Sequence, residues 1–435
     1  MREKRTLTFA GAALVLHLAL LGCSPSNPAD PSGSGGQTAT GGTNTGGATT
    51  ATGGSTPGSG GGTGGRSDTE GTGGEQSSGG ASPGGSNGRG GTPGAGGTAG
   101  GGAGGGASGS AGTVGTGGAG AIGGGTLPGD IAASAGTPLV AAHSMIRAMY
   151  AAYNGKLFQV RRSDGKTQDI GPASAGGKVD ASALSTFCAA SSCTIAVLYD
   201  QSGNANHLPQ TDAASQMLLQ YYATPGGAQV PMAVTVSKQY LRNRTSTTKI
   251  PLGAASQTEY FVVNTKFFNE KCCWDYGNME QVAKVSSTNG PGKMSALNIG
   301  TSDNGYANPG AGSGPWGMVD YEAGVYSGAY RIGQVNPNNP SLTWPIATVL
   351  SKTNGTTTWV LKVGDAANGT LITAWNGALP PGYNPLKQEG GLSLGEGGDG
   401  SKLGTGAFFE GVVIADVTSD ATDAAIQAGL MTIFK

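Results

Sequence analysis

Along the second half of the chain, apolar positions fall into short runs with the two-residue spacing of strands. The clearest lie at residues 156–161, 193–199, 259–268, 359–363, 391–394 and 407–415. Clusters of Gly, Asn, Asp and Ser separate them, so the pattern predicts an antiparallel sandwich or barrel rather than alternating strands and helices. Two short helices are expected. One covers 143–153, where apolar residues recur at helical spacing; the other follows Ser419, an N-cap, with Asp420 and Asp423 in its first turn. Residues 128–435 suit one large domain, or two small ones with no obvious linker between them.

The first 127 residues follow neither period. Residues 24–127 are mostly Gly, Ser, Thr, Ala and Pro, with hardly any charge, no aromatic side chain and, before Ile122, Val114 as the only large aliphatic. Such a segment buries too little apolar surface to offset its chain entropy, so a disordered tether is expected. Residues 1–23 read as an export signal, with Arg2, Lys4 and Arg5 before an apolar run too short to span a bilayer comfortably. The run ends Leu20-Leu21-Gly22-Cys23, which resembles a bacterial lipoprotein box in which the Cys is lipidated. Ordinary cleavage, with Cys23 discarded or left free, is the alternative. A lipid at Cys23 would be the only membrane attachment, and would hold the domain at a bacterial cell envelope, at the outer membrane or cell surface.

With 435 residues, a net charge of -1 and 12% charged residues, the chain has no basic stripe to replace phosphate counterions. Nucleic acid is therefore not an expected partner. Nor do His143 and His207, the two histidines of the domain, support a Ser-His-Asp arrangement; both read as structural.

The candidate chemistry concentrates between residues 271 and 328. Read as a strand, Trp316, Met318, Asp320 and Glu322 share one face, while Val319 and Tyr321 share the other. Two carboxyl groups then stand about 7 Å apart beside an aromatic ring and a thioether. On a concave face their repulsion and desolvation raise at least one pKa; at a sheet edge they would simply face water. After Cys23, the remaining cysteines are Cys188, Cys193, Cys272 and Cys273. An even set in an exported chain predicts disulfides. Cys188 with Cys193 would close a small loop and leave Cys272 with its neighbour Cys273, a vicinal bond unlike ordinary disulfide geometry. Cross-pairing is the alternative, and a metal site is weakly supported, since no Cys-x-x-Cys spacing or clustered His exists. A second acidic element is Gly395-Glu396-Gly397-Gly398-Asp399-Gly400, where glycines let backbone approach a ligand before Asp399 is presented. Glu410, in the apolar run Phe408-Phe409-Glu410-Gly411-Val412, is either a buried partner of another polar group or an edge residue.

Several of these motifs occur together in one family. Cys272-Cys273-Trp274-Asp275-Tyr276-Gly277-Asn278, Gly314 through Asp320-Tyr321-Glu322, and Gly382-Tyr383-Asn384-Pro385 through Glu389 with Gly397-Gly398-Asp399 resemble the family 54 glycoside hydrolases, the α-L-arabinofuranosidase B catalytic domain. Val140 through His143-Ser144 with Arg147, and Ser185 through Cys188 with the Asp200 loop, extend the likeness over residues 128–435 in order. The resemblance implies a concanavalin-like all-β antiparallel sandwich (jelly roll) with a few short helices. It also implies retaining, exo-acting hydrolysis of terminal α-L-arabinofuranosyl groups on plant polysaccharides such as arabinoxylan or arabinan, without metal or cofactor.

By position, Glu322 is implied as nucleophile, Asp399 as general acid/base, and Asp320 and Gly398 as sugar contacts. Cys272 and Cys273 are implied as a vicinal disulfide packed against the furanose. The sequence departs from the family where Asn304 replaces a Trp near the sugar and Ala323 and Gly324 replace two Asn. Gly129 and Leu139 stand where the family has a further disulfide, and no arabinose-binding trefoil is expected after the domain. A monomer is expected. The rival readings are a lectin-like glycan-binding module on the same sandwich, which those substitutions favour, and a non-catalytic envelope protein carried on the tether.

Overall fold

The structure is a computed structural model that describes residues 126–281, 290–301 and 307–435. Asn304, Cys23 and nearly all of the segment before residue 128 lie outside the described residues. Among those described, two sheets of twelve and seven strands form a sandwich with three short helices at its margins. The expected strands are present, as Phe158–Arg162, Cys193–Leu198, Gln257–Asn264, Trp359–Asp365, Gly391–Glu396 and Gly406–Ile414. All pair antiparallel with their neighbours.

The larger sheet is built around Gln257–Asn264, which lies between Ile346–Thr353 and Gly406–Ile414 and is buried at every residue. The smaller sheet runs in the order Ala307–Asn308, Val325–Tyr326, Trp316–Asp320, Ser295–Gly300, Asp275–Met279, Gly391–Glu396, Leu241–Asn243. Its inner face meets the larger sheet through aromatic rings. Tyr276 lies 5.2 Å from Phe408 and stacks over Phe261, and Tyr321 meets Trp359 edge-on at 5.3 Å. Each such side chain contributes about 1.5–3 kcal/mol by burial, and each ring pair about 0.5–1.5 kcal/mol more. The inner face of the smaller sheet is thus committed to packing, and chemistry is left to its outer face.

The C-terminal helix is Asp420–Leu430, and the Ser419 hydroxyl accepts from the Thr422 amide as its cap. The helix expected over 143–153 does not form. Residues Leu139–Ser144 are instead a strand paired with Gly406–Ile414, followed by bends. The strand ends at Ser144, and the apolar residues after it, Met145, Ile146, Ala148 and Met149, are buried in bends around a bridge from Arg147 to Lys178, so their spacing reflects burial of irregular backbone rather than one helical face. The histidines are structural, as expected: His143 bridges Tyr276 and the Asn206 carbonyl, and His207 accepts from the Asp200 amide at 2.9 Å. Glu410 is a buried partner. Arg147 grips it with two hydrogen bonds of 2.9 and 2.6 Å, and Tyr260 donates a third.

Candidate active site

Alternation along Trp316–Asp320 sends Val319 and Tyr321 into the inter-sheet core, and Trp316 and Met318 into a small cluster on the outer face with Cys272 and Val325. Asp320 follows them onto that outer face. Glu322 reaches it by another route, which corrects the strand reading. The strand ends at Asp320, and Glu322 and Ala323 form the two-residue turn to Val325–Tyr326, with Tyr321 N–H donating to the Gly324 carbonyl at 3.1 Å. Both turn residues have positive φ, 62° and 61°. That is the type I′ geometry usually given to Asn-Gly. A Glu there costs on the order of 1–2 kcal/mol, so neighbours must hold it. Asp320 Oδ1 accepts the Glu322 amide at 2.9 Å, and Tyr383 Oη donates to the Glu322 carbonyl at 3.0 Å. Tyr383 comes from the Gly382-Tyr383-Asn384-Pro385 motif, so that motif supports the turn that carries Glu322.

Asp399 arrives from the loop after Gly391–Glu396. Its Oδ1 accepts from the Ser401 amide at 2.7 Å, and the Gly397 amide donates to the Ser401 carbonyl at 2.8 Å. Beneath this loop sits Arg244, a residue that sequence reasoning missed. Its guanidinium donates to the carbonyls of Gly397 and Gly398, both at 2.7 Å, and of Glu280 at 3.1 Å, and to the Glu396 carboxylate at 3.1 and 3.0 Å. One rigid fork therefore ties the Asp399 loop to two neighbouring elements of the sheet.

Together these elements enclose a cleft of about 390 Å³ lined by Cys272, Cys273, Asp320, Glu322, Ala323, Gly324, Val325, Gly398, Asp399 and Ser401. Every described residue implied as catalytic or sugar-contacting lines it, while Cys188, Cys193 and Glu410 lie elsewhere. A larger depression of about 690 Å³ beside Cys188 and Cys193 is lined by no carboxyl group, and Tyr221 is the one side chain there that titrates. Both disulfides exist, Cys188 with Cys193 and Cys272 with Cys273. The second lies in the cleft, with Cys273 Sγ 3.3 Å from Asp320 Oδ2. Bonded to each other, these sulfurs offer no thiolate to a metal.

Two further acids escaped the sequence reading. Asp275 is fully buried at the start of its strand, shares a hydrogen bond with Asp320, and accepts from Asn298 at 2.6 Å. Burial first, then the charge of neighbouring carboxylates, raises both Asp275 and Asp320 well above the ordinary range. Glu280 follows the same strand, and burial together with the charge of Glu322 pushes it up to about 8. The only available signal for Asp275 was its place beside the paired cysteines; Glu280 had none. The backbone at Gly398 is what lets these groups meet. A β-carbon there would collide with carboxyl oxygens of Glu280 and Glu322 and with Met294 Sδ, so only glycine fits. Chemically, the cleft offers one half-exposed acid on a loop and one acid held rigidly by a turn, around a hollow the size of a single sugar.

Comparison with known proteins gives consistent matches. Residues 128–434 match the family model described as alpha-L-arabinofuranosidase B, catalytic. The probable alpha-L-arabinofuranosidase B of Aspergillus clavatus is 41% identical over 332 residues, 70% of this chain and 61% of that protein. The alpha-L-arabinofuranosidase B of Aspergillus oryzae is 40% identical over 321 residues, with the same coverage of each. Among solved structures, a GH54 α-L-arabinofuranosidase soaked with a cyclic sulfate inhibitor and an arabinofuranosidase complexed with arabinofuranosyl-alpha-1,2-xylobiose both align with TM-score 0.65 and 37% identity. Each alignment covers 71% of this chain and 65% of the other. The chain thus spans about 61% of the length of the relatives it matches.

Proposed function

The chain belongs to the α-L-arabinofuranosidase B catalytic family, and on that premise we propose that it is a retaining, exo-acting α-L-arabinofuranosidase. Its substrates are terminal arabinofuranosyl groups on arabinoxylan, arabinan or a related plant polysaccharide. The observation that carries this reading is the convergence of Glu322 and Asp399, from elements far apart in sequence, on one sugar-sized cleft beside the Cys272–Cys273 disulfide.

Glu322 attacks the anomeric carbon and forms a glycosyl ester while Asp399 gives its proton to the departing oxygen. Asp399 then takes a proton from water, which attacks the ester and releases arabinose with its configuration retained. Asp320, raised by burial and neighbouring charge, offers a carboxylic O–H toward the sugar and also anchors the Glu322 amide. The apolar face of the disulfide supports the furanose ring, and the Gly398 backbone approaches it closely. Ala323 and Gly324 contribute no side-chain donors, so contacts there fall to the backbone.

The test is release of arabinose from an aryl α-L-arabinofuranoside with the stereochemistry followed by NMR. Inversion at the anomeric carbon, or turnover that survives loss of either acid, would end the proposal. A binding-only module is the second reading, favoured by Ala323 and Gly324; calorimetry with arabinan fragments showing binding without hydrolysis would select it.

The same proposal covers delivery. Two disulfides suit an oxidising compartment, so the protein is exported, with residues 1–23 as signal, 24–127 as tether and 128–435 as a monomeric catalytic domain. Lipid attachment at Cys23 is checked by mass spectrometry of the mature N-terminus; an unmodified or absent Cys23 removes it.

A further inference from the structure

Glu280 is not part of the cleft wall. It follows the strand Asp275–Met279 and stands behind Glu322, 1% exposed, where Glu322 borders the opening at 9%. No N–H or hydroxyl of another described residue donates to either Glu280 oxygen. What reaches it is the Glu322 carboxyl, an acceptor facing an acceptor, so a hydrogen bond between the two requires a proton on one of them. The Oε2 atoms of both residues crowd the same flank of Gly398, with Met294 Sδ closing the gap. Among the described residues, the ionisable groups facing Glu280 are Glu322 and Asp320, from the turn and end of a neighbouring strand. Arg244 faces only its main chain, holding the Glu280 and Gly398 carbonyls together.

Two carboxyl groups in hydrogen-bond contact share one proton, since both cannot be charged there. The drier group keeps it, and Glu280 is the drier. We propose that Glu280 is a positioning residue for the hydrolase reaction, a carboxylic acid that donates its hydrogen bond to Glu322 and so holds that carboxylate ionised and aimed into the cleft. This rests on the assignment of Glu322 as nucleophile. Through the cycle the proton stays on Glu280. The bond weakens as Glu322 becomes an ester and strengthens as charge returns to the departing carboxylate, so Glu280 favours the second step most. A neutral buried acid serving as donor is an established catalytic device.

The assignment is tested on the full-length protein with Glu280→Gln, which keeps a donor of the same shape, and Glu280→Ala, which removes it. The infrared difference between wild type and Glu280→Gln should show a protonated carboxyl band at about pH 6, where an ordinary Glu is ionised, fading near about 8. Its absence overturns the proposal without reference to any activity. With an aryl α-L-arabinofuranoside, Glu280→Ala should lower kcat by about 100-fold through misaimed attack, with KM little moved. Glu280→Gln should recover most of that loss and shift the alkaline limb of the kcat profile. Profiles of all three proteins that superimpose also overturn it. If the band is present but the wild type hydrolyses no arabinofuranoside, the hydrolase reading fails while the proton assignment stands.

Discussion

Two regions of the molecule treat buried carboxyl groups in opposite ways. Where the larger sheet meets Arg147 and the C-terminal helix, Glu410 and Asp423 are answered by cations, although Glu259 of the same sheet has, among the described residues, only the Asn278 amide and is raised by burial. Glu410 is gripped by Arg147, and Asp423 takes ammonium groups from Lys352 and Lys362 at 2.8 and 2.7 Å. On the outer face of the smaller sheet, Asp275, Glu280 and Asp320 have other carboxyls as their acidic neighbours, and burial with mutual repulsion drives all three upward. The boundary is sharp: Glu396, one loop away, is again neutralised by Arg244 and Arg242. A carboxylate with a matched cation is settled and structural. A cluster whose members must share protons is poised to give and take them, at a cost in stability that packing elsewhere offsets.

Four tests probe that contrast, and the largest effect is on catalysis. Glu322→Ala and Asp399→Ala should each lower kcat/KM on an aryl arabinofuranoside by about 10⁴-fold or more, with an unchanged circular dichroism spectrum. Breaking the settled side instead, Glu410→Gln strands the Arg147 charge in the core. It should cost about 3–5 kcal/mol in denaturant unfolding and leave the kcat of the folded fraction near that of wild type.

The poised side has its own signature in pH. Because Glu280 is raised in the folded state, the native protein binds the extra proton between the unfolded value, near 4.5, and about 8. The stability it contributes is full below about 4.5 and is lost as pH rises toward about 8. The protein should therefore weaken by about a few kcal/mol across that window in urea titrations, and Glu280→Gln should flatten the slope. A slope of opposite sign would mean that the cluster is ionised. The smallest effect belongs to the helix cap, where Ser419→Ala should cost about 1 kcal/mol and leave activity alone.

Much of the site was legible as motif. The strand alternation that turned Asp320 outward, the adjacent cysteines and the glycine loop before Asp399 each carried a local signal. Glu322 was singled out and does line the cleft, but it was read in the wrong conformation, because no residue in Glu322-Ala323 announces a type I′ turn as Asn-Gly would. Arg244, Asp275 and Glu280 were passed over for a different reason. Each matters through partners 23–154 residues away, such as the Asp275 contact with Asn298 and the Arg244 contacts with the Glu280 and Gly398 carbonyls, and no spacing along the chain encodes such a meeting.

What the sequence determined by itself was the class and the layout: strands separated by glycine-rich turns, a tether too poor in apolar residues to fold, an outward acid and an even set of cysteines. These are properties of neighbouring residues, set by the two-residue pleat and by composition. Which acids share a proton, which meet a cation and which face the opening was decided only when distant strands came into register. Burial and electrostatic coupling are properties of the assembled space rather than of the chain.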